Sequence, residues 1–317
     1  MGKIAFVFPG QGSQTVGMGK DLFDHSDAAA EAFQVADRKL GFSLSQLIFN
    51  GPQETLTLTT NAQPALLTTS YVFYQALDAA GIKPDYTAGH SLGEYSALVA
   101  SGALSFDDAV YTVRKRGEFM EEAVPNGQGS MAAILGMERE SLIGVTEDVS
   151  SGGKPVQLAN INCPGQIVIS GSTEGVLTAC ELAKEKGAKR AIPLEVSGPF
   201  HSSLMKPAAS RFEKTLEEVA IREAAIPVIS NVTAEPIHLP EEIKQKLLEQ
   251  LYSPVLWEDS VRTLLSLGVD TFVEVGPGKV LSGLIKKIDR SAVIFSVNDE
   301  ESLVKTIESL RGADTDA

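Results

Sequence analysis

The sequence predicts an α/β protein, a parallel sheet flanked by helices and interrupted by a smaller βαββαβ unit. Three observations lead there. Short apolar runs of strand length alternate with helical periodicity over most of the chain. Gly89-His90-Ser91-Leu92-Gly93 falls between a short strand and a helix, the setting of a sharp turn that lifts a serine out of the sheet top. Residues 128–196 follow an element order unlike their surroundings.

Composition sets outer bounds. At 317 residues the chain can bury one large core or two modest ones, and 43% hydrophobic with 21% charged residues is ordinary for a globular protein. Cys163 and Cys180 cannot form a disulfide framework, and the chain opens straight into a strand with no secretory signal, so a cytoplasmic location is expected. Phe6 stands where a myristoylation signal needs Ser or Thr, and no apolar run reaches membrane-spanning length. A net charge of −14 argues against nucleic acid and against an anionic membrane surface as partners. The four histidines are scattered and neither HExxH nor CxxC occurs, so neither metal nor cofactor is expected.

Lys3–Phe8 is a buried-strand run ending in Pro9-Gly10-Gln11-Gly12-Ser13-Gln14. A dinucleotide loop would need a third glycine where Thr15 stands, and no Walker lysine follows. The same turn suits a site that needs close backbone approach and a donated N–H. Helical periodicity covers 27–40 and 62–80, the second stopped by Gly81. Beyond the serine turn, Leu92, Tyr95, Ala97, Leu98 and Val99 give the outgoing helix an apolar side, and Gly102 fits its stop. Ser105-x-x-Asp108 then caps a helix over 106–124. On it Ala109, Val113, Gly117 and Met120 share a face, with Arg116 at the edge and Arg114 and Lys115 turned away. Such an arginine is either a snorkelling or paired side chain or a partly buried guanidinium awaiting a carboxylate.

Asn126-Gly127-Gln128-Gly129 breaks the pattern. Strand 131–135, helix 138–148, strands 156–161 and 166–170, helix 173–187 and strand 189–196 follow, the βαββαβ order of ferredoxin-like units. The expected organisation is a core of 1–127 and 197–317 with an inserted subdomain of 128–196. Ser197-Gly198-Pro199-Phe200-His201 is an extended loop set by Pro199. Helix 202–220, strand 226–231, helices 241–252 and 260–267, strand 271–275, helix 279–288, strand 292–297 and helix 300–310 complete the core. Residues 312–317 read as a frayed acidic tail.

A serine nucleophile needs a base. His201 follows Ser91 in chain order, as the histidine does in α/β hydrolases, and stands in a loop just after a domain boundary. His25 and His238 read as surface residues, while His90, beside the serine, is expected to point to the opposite side. No acid stands out to orient the imidazole: Glu94, Asp107, Asp108 and Glu195 have no distinctive setting, and a backbone carbonyl can serve instead. A Cys163–His dyad is the rival, without a cationic neighbour in sequence to activate the thiol.

Phe8-Pro9-Gly10-Gln11-Gly12-Ser13-Gln14, Gly89-His90-Ser91-Leu92-Gly93-Glu94-Tyr95, Arg116-Gly117, Gly198-Pro199-Phe200-His201-Ser202 and Gln250-Leu251-Tyr252-x-Pro254-Val255-x-Trp257 occur in this order. Together they resemble the malonyl-CoA:acyl carrier protein transacylases of bacterial fatty acid synthesis, over nearly the whole chain. The resemblance implies a hydrolase-like α/β core with a ferredoxin-like insert. It implies that Ser91 is acylated, that His201 is its base, and that the backbone carbonyl of Gln250 holds the imidazole where hydrolases use an acid. Gln11 and Leu92 would supply the backbone N–H groups of an oxyanion hole, and Arg116 would clamp the malonyl carboxylate. Phe200 resembles the malonyl-selecting version of the related polyketide acyltransferases. Malonyl-CoA and holo acyl carrier protein are the implied partners. A serine esterase or thioesterase on the same turn, and a silent carrier-binding module, are the competing functions. Carrier docking on so acidic a chain needs a local basic patch. Lys184, Lys186, Lys189 and Arg190 offer one and Lys286, Lys287 and Arg290 another, both equally readable as solvated helix ends.

Overall fold

Ala5 to Phe8 are completely buried in the first strand, which is a central strand of a six-stranded sheet in the computed structural model. The structure describes residues 2–125 and 127–315. In chain order the strands are β1 (Lys3–Phe8), β2 (Tyr86–Gly89), β3 (Gly129–Leu135), β4 (Val156–Cys163), β5 (Gln166–Ser172), β6 (Arg190–Pro193), β7 (Val228–Ile229), β8 (Pro236–Ile237), β9 (Val269–Val275) and β10 (Val293–Val297). The large sheet runs β10-β9-β1-β2-β7-β8, parallel throughout except for β8, which folds back antiparallel on β7. Phe8 pairs with Gly89, so the carboxyl ends of β1 and β2 finish side by side. The turns carrying Gln11 and Ser91 therefore meet in the crevice where open α/β sheets bind ligands.

The second sheet is antiparallel, ordered β4-β5-β3-β6, with helices Arg139–Ser151 and Thr173–Glu185 between its strands. It has an apolar cluster of its own, including Ile134, Leu142, Val145, Ile169 and Val176. Backbone bonds lock it to the large sheet's neighbourhood: Ile161 N–H donates to Val255 O at 2.9 Å, and Val255 N–H to Ala159 O at 2.8 Å. Arg139 adds a fork onto Asp259 at 2.9 and 3.2 Å. The expected fold class, a parallel-sheet core plus a separate antiparallel sheet, is what the chain adopts.

Several elements depart from the sequence reading. The helix expected over 62–80 spans Thr59–Ala79 with Pro64 inside it. Proline cannot donate to the Thr60 carbonyl four residues back, and Arg114 Nη1 takes that acceptor at 2.9 Å. Helices Lys20–His25, Leu44–Asn50 and Gln53–Thr57 are too short to show a period and were not expected individually. Strand 226–231 shrinks to β7 because the chain turns back into β8, and strand 189–196 ends at Pro193. Helix 202–220 is a 3-10 turn, Ser203–Met205, followed by an α-helix, Lys206–Glu218. The last helix is Glu300–Thr315 and covers most of the expected tail. Residues 316 and 317, and Asn126 of the expected break, lie outside the described residues.

Candidate active site

Ser91 sits at φ 51°, between the end of β2 and the helix Gly93–Ala100. Its two flanking glycines make that possible. A Cβ on Gly89 would lie 1.9 Å from the Gly93 carbonyl carbon, and one on Gly93 would lie 2.0 Å from Phe8 O. No side chain fits such contacts. The turn is stapled from across the sheet by Asn231, whose Oδ1 accepts from Ser91 N–H at 2.7 Å while its Nδ2 donates to Gly89 O at 2.6 Å. A non-glycine residue in the left-handed region costs on the order of 1–3 kcal/mol, which a staple of this kind must offset.

His201 is also held at positive φ, 58°. Its N–H donates to Leu251 O at 3.1 Å and its carbonyl accepts from Gln157 Nε2 at 3.3 Å. The ring then spans two partners: Nε2 lies 2.8 Å from Ser91 Oγ, and Nδ1 lies 2.8 Å from Gln250 O. A carbonyl only accepts, so Nδ1 carries the proton and the Nε2 lone pair faces the serine. Gln250 closes the helix Pro240–Gln250, where backbone carbonyls have no helical donor and are free for other partners. Burial, then the Arg116 cation and His90, push the His201 pKa down to about 3, so the imidazole is neutral across the physiological range.

Arg116, read from the sequence as a partly buried guanidinium at the edge of its helix's apolar face, is almost completely buried, at 1% exposure. The helix Phe106–Glu122 packs against Thr59–Ala79 and Gly93–Ala100, and the side chain is trapped between them. Nη2 donates to Ser91 Oγ at 3.1 Å and to Gln250 Oε1 at 2.8 Å, and Nη1 donates to Gln63 Oε1 at 2.8 Å. Its Nε has no partner, and no carboxylate forms an ion pair with it among the described residues. Arg114 and Lys115 do turn away, onto Glu118.

The backbone N–H groups of Gln11 and Leu92 engage no acceptor among the described residues. Leu92 immediately precedes the helix Gly93–Ala100, so the positive end of that helix adds to its N–H. Both residues border a cavity of about 190 Å³, together with Ser91, His201, Arg116 and Phe200. Phe200, Met120 and Met131 supply its apolar side. Every site residue named from the sequence thus converges here except Gln250, which stands behind His201 and Arg116. Among the described residues no three His, Cys, Asp or Glu side chains gather as a metal would require.

His90 borders the same cavity, but its ring is turned to residues that do not: Nε2 lies 2.8 Å from Asn162 Oδ1, and the ring centroid lies 5.7 Å from that of Trp257. Glu94 corrects the reading that it has no distinctive setting: it is completely buried against Gln250 and Asn231. Gln63 and Asn231 were missed altogether. A polar residue just beyond a strand, as in Val228-Ile229-Ser230-Asn231, was the available signal for the second. Cys163 is a buried thiol whose pKa burial pushes up, and it does not border the cavity. Of the basic residues, Lys186 pairs with Asp148 at 3.0 Å. Lys287 reaches Gln166 at 3.1 Å, and Lys286 donates to the carbonyls of Arg290 and Ala292.

A family model described as an acyl transferase domain matches residues 5–307. The malonyl CoA-acyl carrier protein transacylase of Bacillus subtilis (strain 168) is 61% identical over 311 residues, 98% of each chain. An acyl carrier protein S-malonyltransferase from Vibrio cholerae O1 biovar eltor matches with a TM-score of 0.94 at 45% identity, over 96% of this chain and 99% of that one. A malonyl-transacylase solved in complex with its holo type II PKS acyl-carrier protein matches with a TM-score of 0.94 at 42% identity, over 97% and 99%.

Proposed function

The chain belongs to the acyl transferase domain family, and we propose that it carries the malonyl group from malonyl-CoA to the phosphopantetheine thiol of acyl carrier protein, through an ester on Ser91. The observation that carries this reading is Arg116: a buried guanidinium 3.1 Å from Ser91 Oγ with no ion-pair partner among the described residues. A hydrolase of neutral esters gains nothing from a cation there. An acyl group ending in a free carboxylate supplies the missing anion.

The reaction runs in two halves. Ser91 Oγ attacks the thioester carbonyl as its proton passes to His201 Nε2, and the oxyanion that forms lies against the N–H groups of Gln11 and Leu92. The C–S bond then breaks, and coenzyme A leaves with the proton from His201. In the second half His201 takes the proton of the carrier thiol, the sulfur attacks the seryl ester, and Ser91 recovers its proton as malonyl-carrier departs. The Gln250 carbonyl keeps His201 in the required tautomer throughout, and Phe200 closes the acyl pocket toward malonyl. We assign the chemistry to a core of 1–127 and 197–317 and treat 128–196 as the inserted subdomain, a division supported by the separate apolar cluster of the antiparallel sheet. We place the reaction in the cytoplasm, where the free thiols of Cys163 and Cys180 persist. Among the described residues no helix is long and apolar enough to cross a membrane.

Intact-mass measurement after brief exposure to malonyl-CoA, and again after addition of holo acyl carrier protein, tests this. A malonyl adduct that moves to the carrier is expected, with none on Ser91→Ala. Release of free malonate without transfer would make the protein a hydrolase, and no adduct at all would leave a carrier-binding module.

A further inference from the structure

We propose that Glu94 is a positioning residue: through the side-chain amide of Gln250 it sets the Arg116 guanidinium where the substrate carboxylate binds, so that preference for malonyl over acetyl depends on a group touching neither substrate. The inference rests on the malonyl-clamp reading of Arg116.

Glu94 lies in the first turn of the helix Gly93–Ala100, completely buried and without an ion-pair partner among the described residues. Its Oε2 accepts from Gln250 Nε2 at 2.5 Å and from Asn231 N–H at 3.3 Å, while Oε1 has no partner. Gln250 Nε2 also donates to Ser91 O at 3.0 Å. Its two hydrogens are then committed, and the other end of the amide, Oε1, faces Arg116 Nη2 at 2.8 Å. A flipped amide would set NH₂ against the guanidinium N–H groups, and oxygen against both Glu94 and the Ser91 carbonyl. The Glu94 oxygen, which makes the shortest contact to the Gln250 amide, thus acts with the Ser91 carbonyl and Asn231 Oδ1, 3.4 Å away, to set which end of Gln250 meets Arg116.

Gln250 is thus engaged twice, its carbonyl on His201 and its side chain on Arg116. Only the second engagement passes through Glu94. Burial pushes the Glu94 carboxyl up to about 7, and a proton taken on the unpartnered Oε1 leaves Oε2 free to accept. What Gln250 requires is an oxygen at that place, whatever the charge.

Two conservative variants separate the alternatives. Glu94→Gln removes the charge but can present its amide oxygen at the Oε2 position. Glu94→Asp keeps the charge but draws the acceptor back by one methylene. Rates of seryl-ester formation from malonyl-CoA and acetyl-CoA are measured for both, beside Arg116→Ala, with folding checked by circular dichroism. Glu94→Gln should hold the malonyl-to-acetyl ratio of kcat/KM close to wild type. Glu94→Asp should lower it by about tenfold, the equivalent of one weakened hydrogen bond to the substrate carboxylate, mainly through a higher KM for malonyl-CoA. The opposite ranking would make Glu94 a charge partner, and equal losses for both substrates would make it a core residue; either overturns the proposal. An Arg116→Ala enzyme that keeps the full ratio would sink the clamp itself and this inference with it. Loss of the ratio in Arg116→Ala, with both Glu94 variants unchanged, would remove only the inference.

Discussion

Truncating Arg116 to alanine tests the clamp most directly, and its size can be worked from the site. The guanidinium is 1% exposed, so a malonyl carboxylate paired with it exchanges water for two charge-assisted hydrogen bonds. Hydrogen bonds to charged groups contribute about 1.5–3 kcal/mol each. Part of that gain is an exchange, because Nη1 and Nη2 already serve Gln63 and Gln250. A net loss of about 2–4 kcal/mol remains, or about thirtyfold to a thousandfold in kcat/KM for malonyl-CoA. Acetyl-CoA brings no carboxylate and should lose far less. The variant also leaves the Oε1 atoms of Gln63 and Gln250 without their donor, which lowers the melting temperature and must be measured beside the rates. Arg116→Lys keeps a point charge without the fork and should fall between the two. The assay is single-turnover acylation at varied acyl-CoA, quantified as seryl ester by intact mass. Parallel losses for malonyl and acetyl would refute the argument and return Arg116 to packing.

Replacing His201 with alanine should slow acylation by about 10²–10⁴-fold, the usual share of a general base, and an unaffected rate would dissolve the Ser91–His201 dyad. The pH dependence follows from a pKa lowered from 6.5 to about 3: the base is lost only as pH falls through that lower value, so kcat/KM for acylation should stay level from pH 8 to 5.5. An acid limb centred near 6.5 would contradict the buried, neutral imidazole. Reversing the charges of Lys184, Lys186, Lys189 and Arg190, or of Lys286, Lys287 and Arg290, should raise the KM for carrier protein and leave acylation by malonyl-CoA nearly unchanged. Unaltered carrier kinetics in both variants would rule out either patch as the docking surface.

What could be read in advance was local. The glycines around Ser91 announce a turn because sterics act between neighbours, and Ser105 announces a helix because its cap bond to Asp108 N–H closes within three residues. Glu94 and Gln63 gave no such sign, and for Asn231 the only one was its place just beyond a strand. The Asn231–Glu94 contact joins residues 137 positions apart, and Gln250–Glu94 joins residues 156 apart. What brings Asn231 to the serine turn is the register Ala88↔Ile229, which sets the chain just beyond β7 beside Gly89. Neither composition nor period encodes that pairing. The full burial of Arg116 was out of reach for a related reason: helical periodicity shows which way a side chain points, but not that helices close over it from both sides.

The absence of an orienting acid, in whose place the sequence reading set the backbone carbonyl of Gln250, follows from the arginine. A carboxylate at the position of the Gln250 carbonyl would favour the protonated imidazole and raise the His201 pKa toward the range where the base is lost. It would also stand as a second anion within reach of Arg116, competing with the substrate for the guanidinium. A neutral carbonyl at 2.8 Å fixes the tautomer and does neither. Glu94, the buried carboxyl beside Gln250, is turned toward amide donors and away from the imidazole, and burial pushes its pKa up to about 7 so that its charge is weakened. A serine–histidine pair built beside a cationic clamp for an acidic acyl group therefore works with a helix-end carbonyl in the place of an acid, and the two features depend on each other.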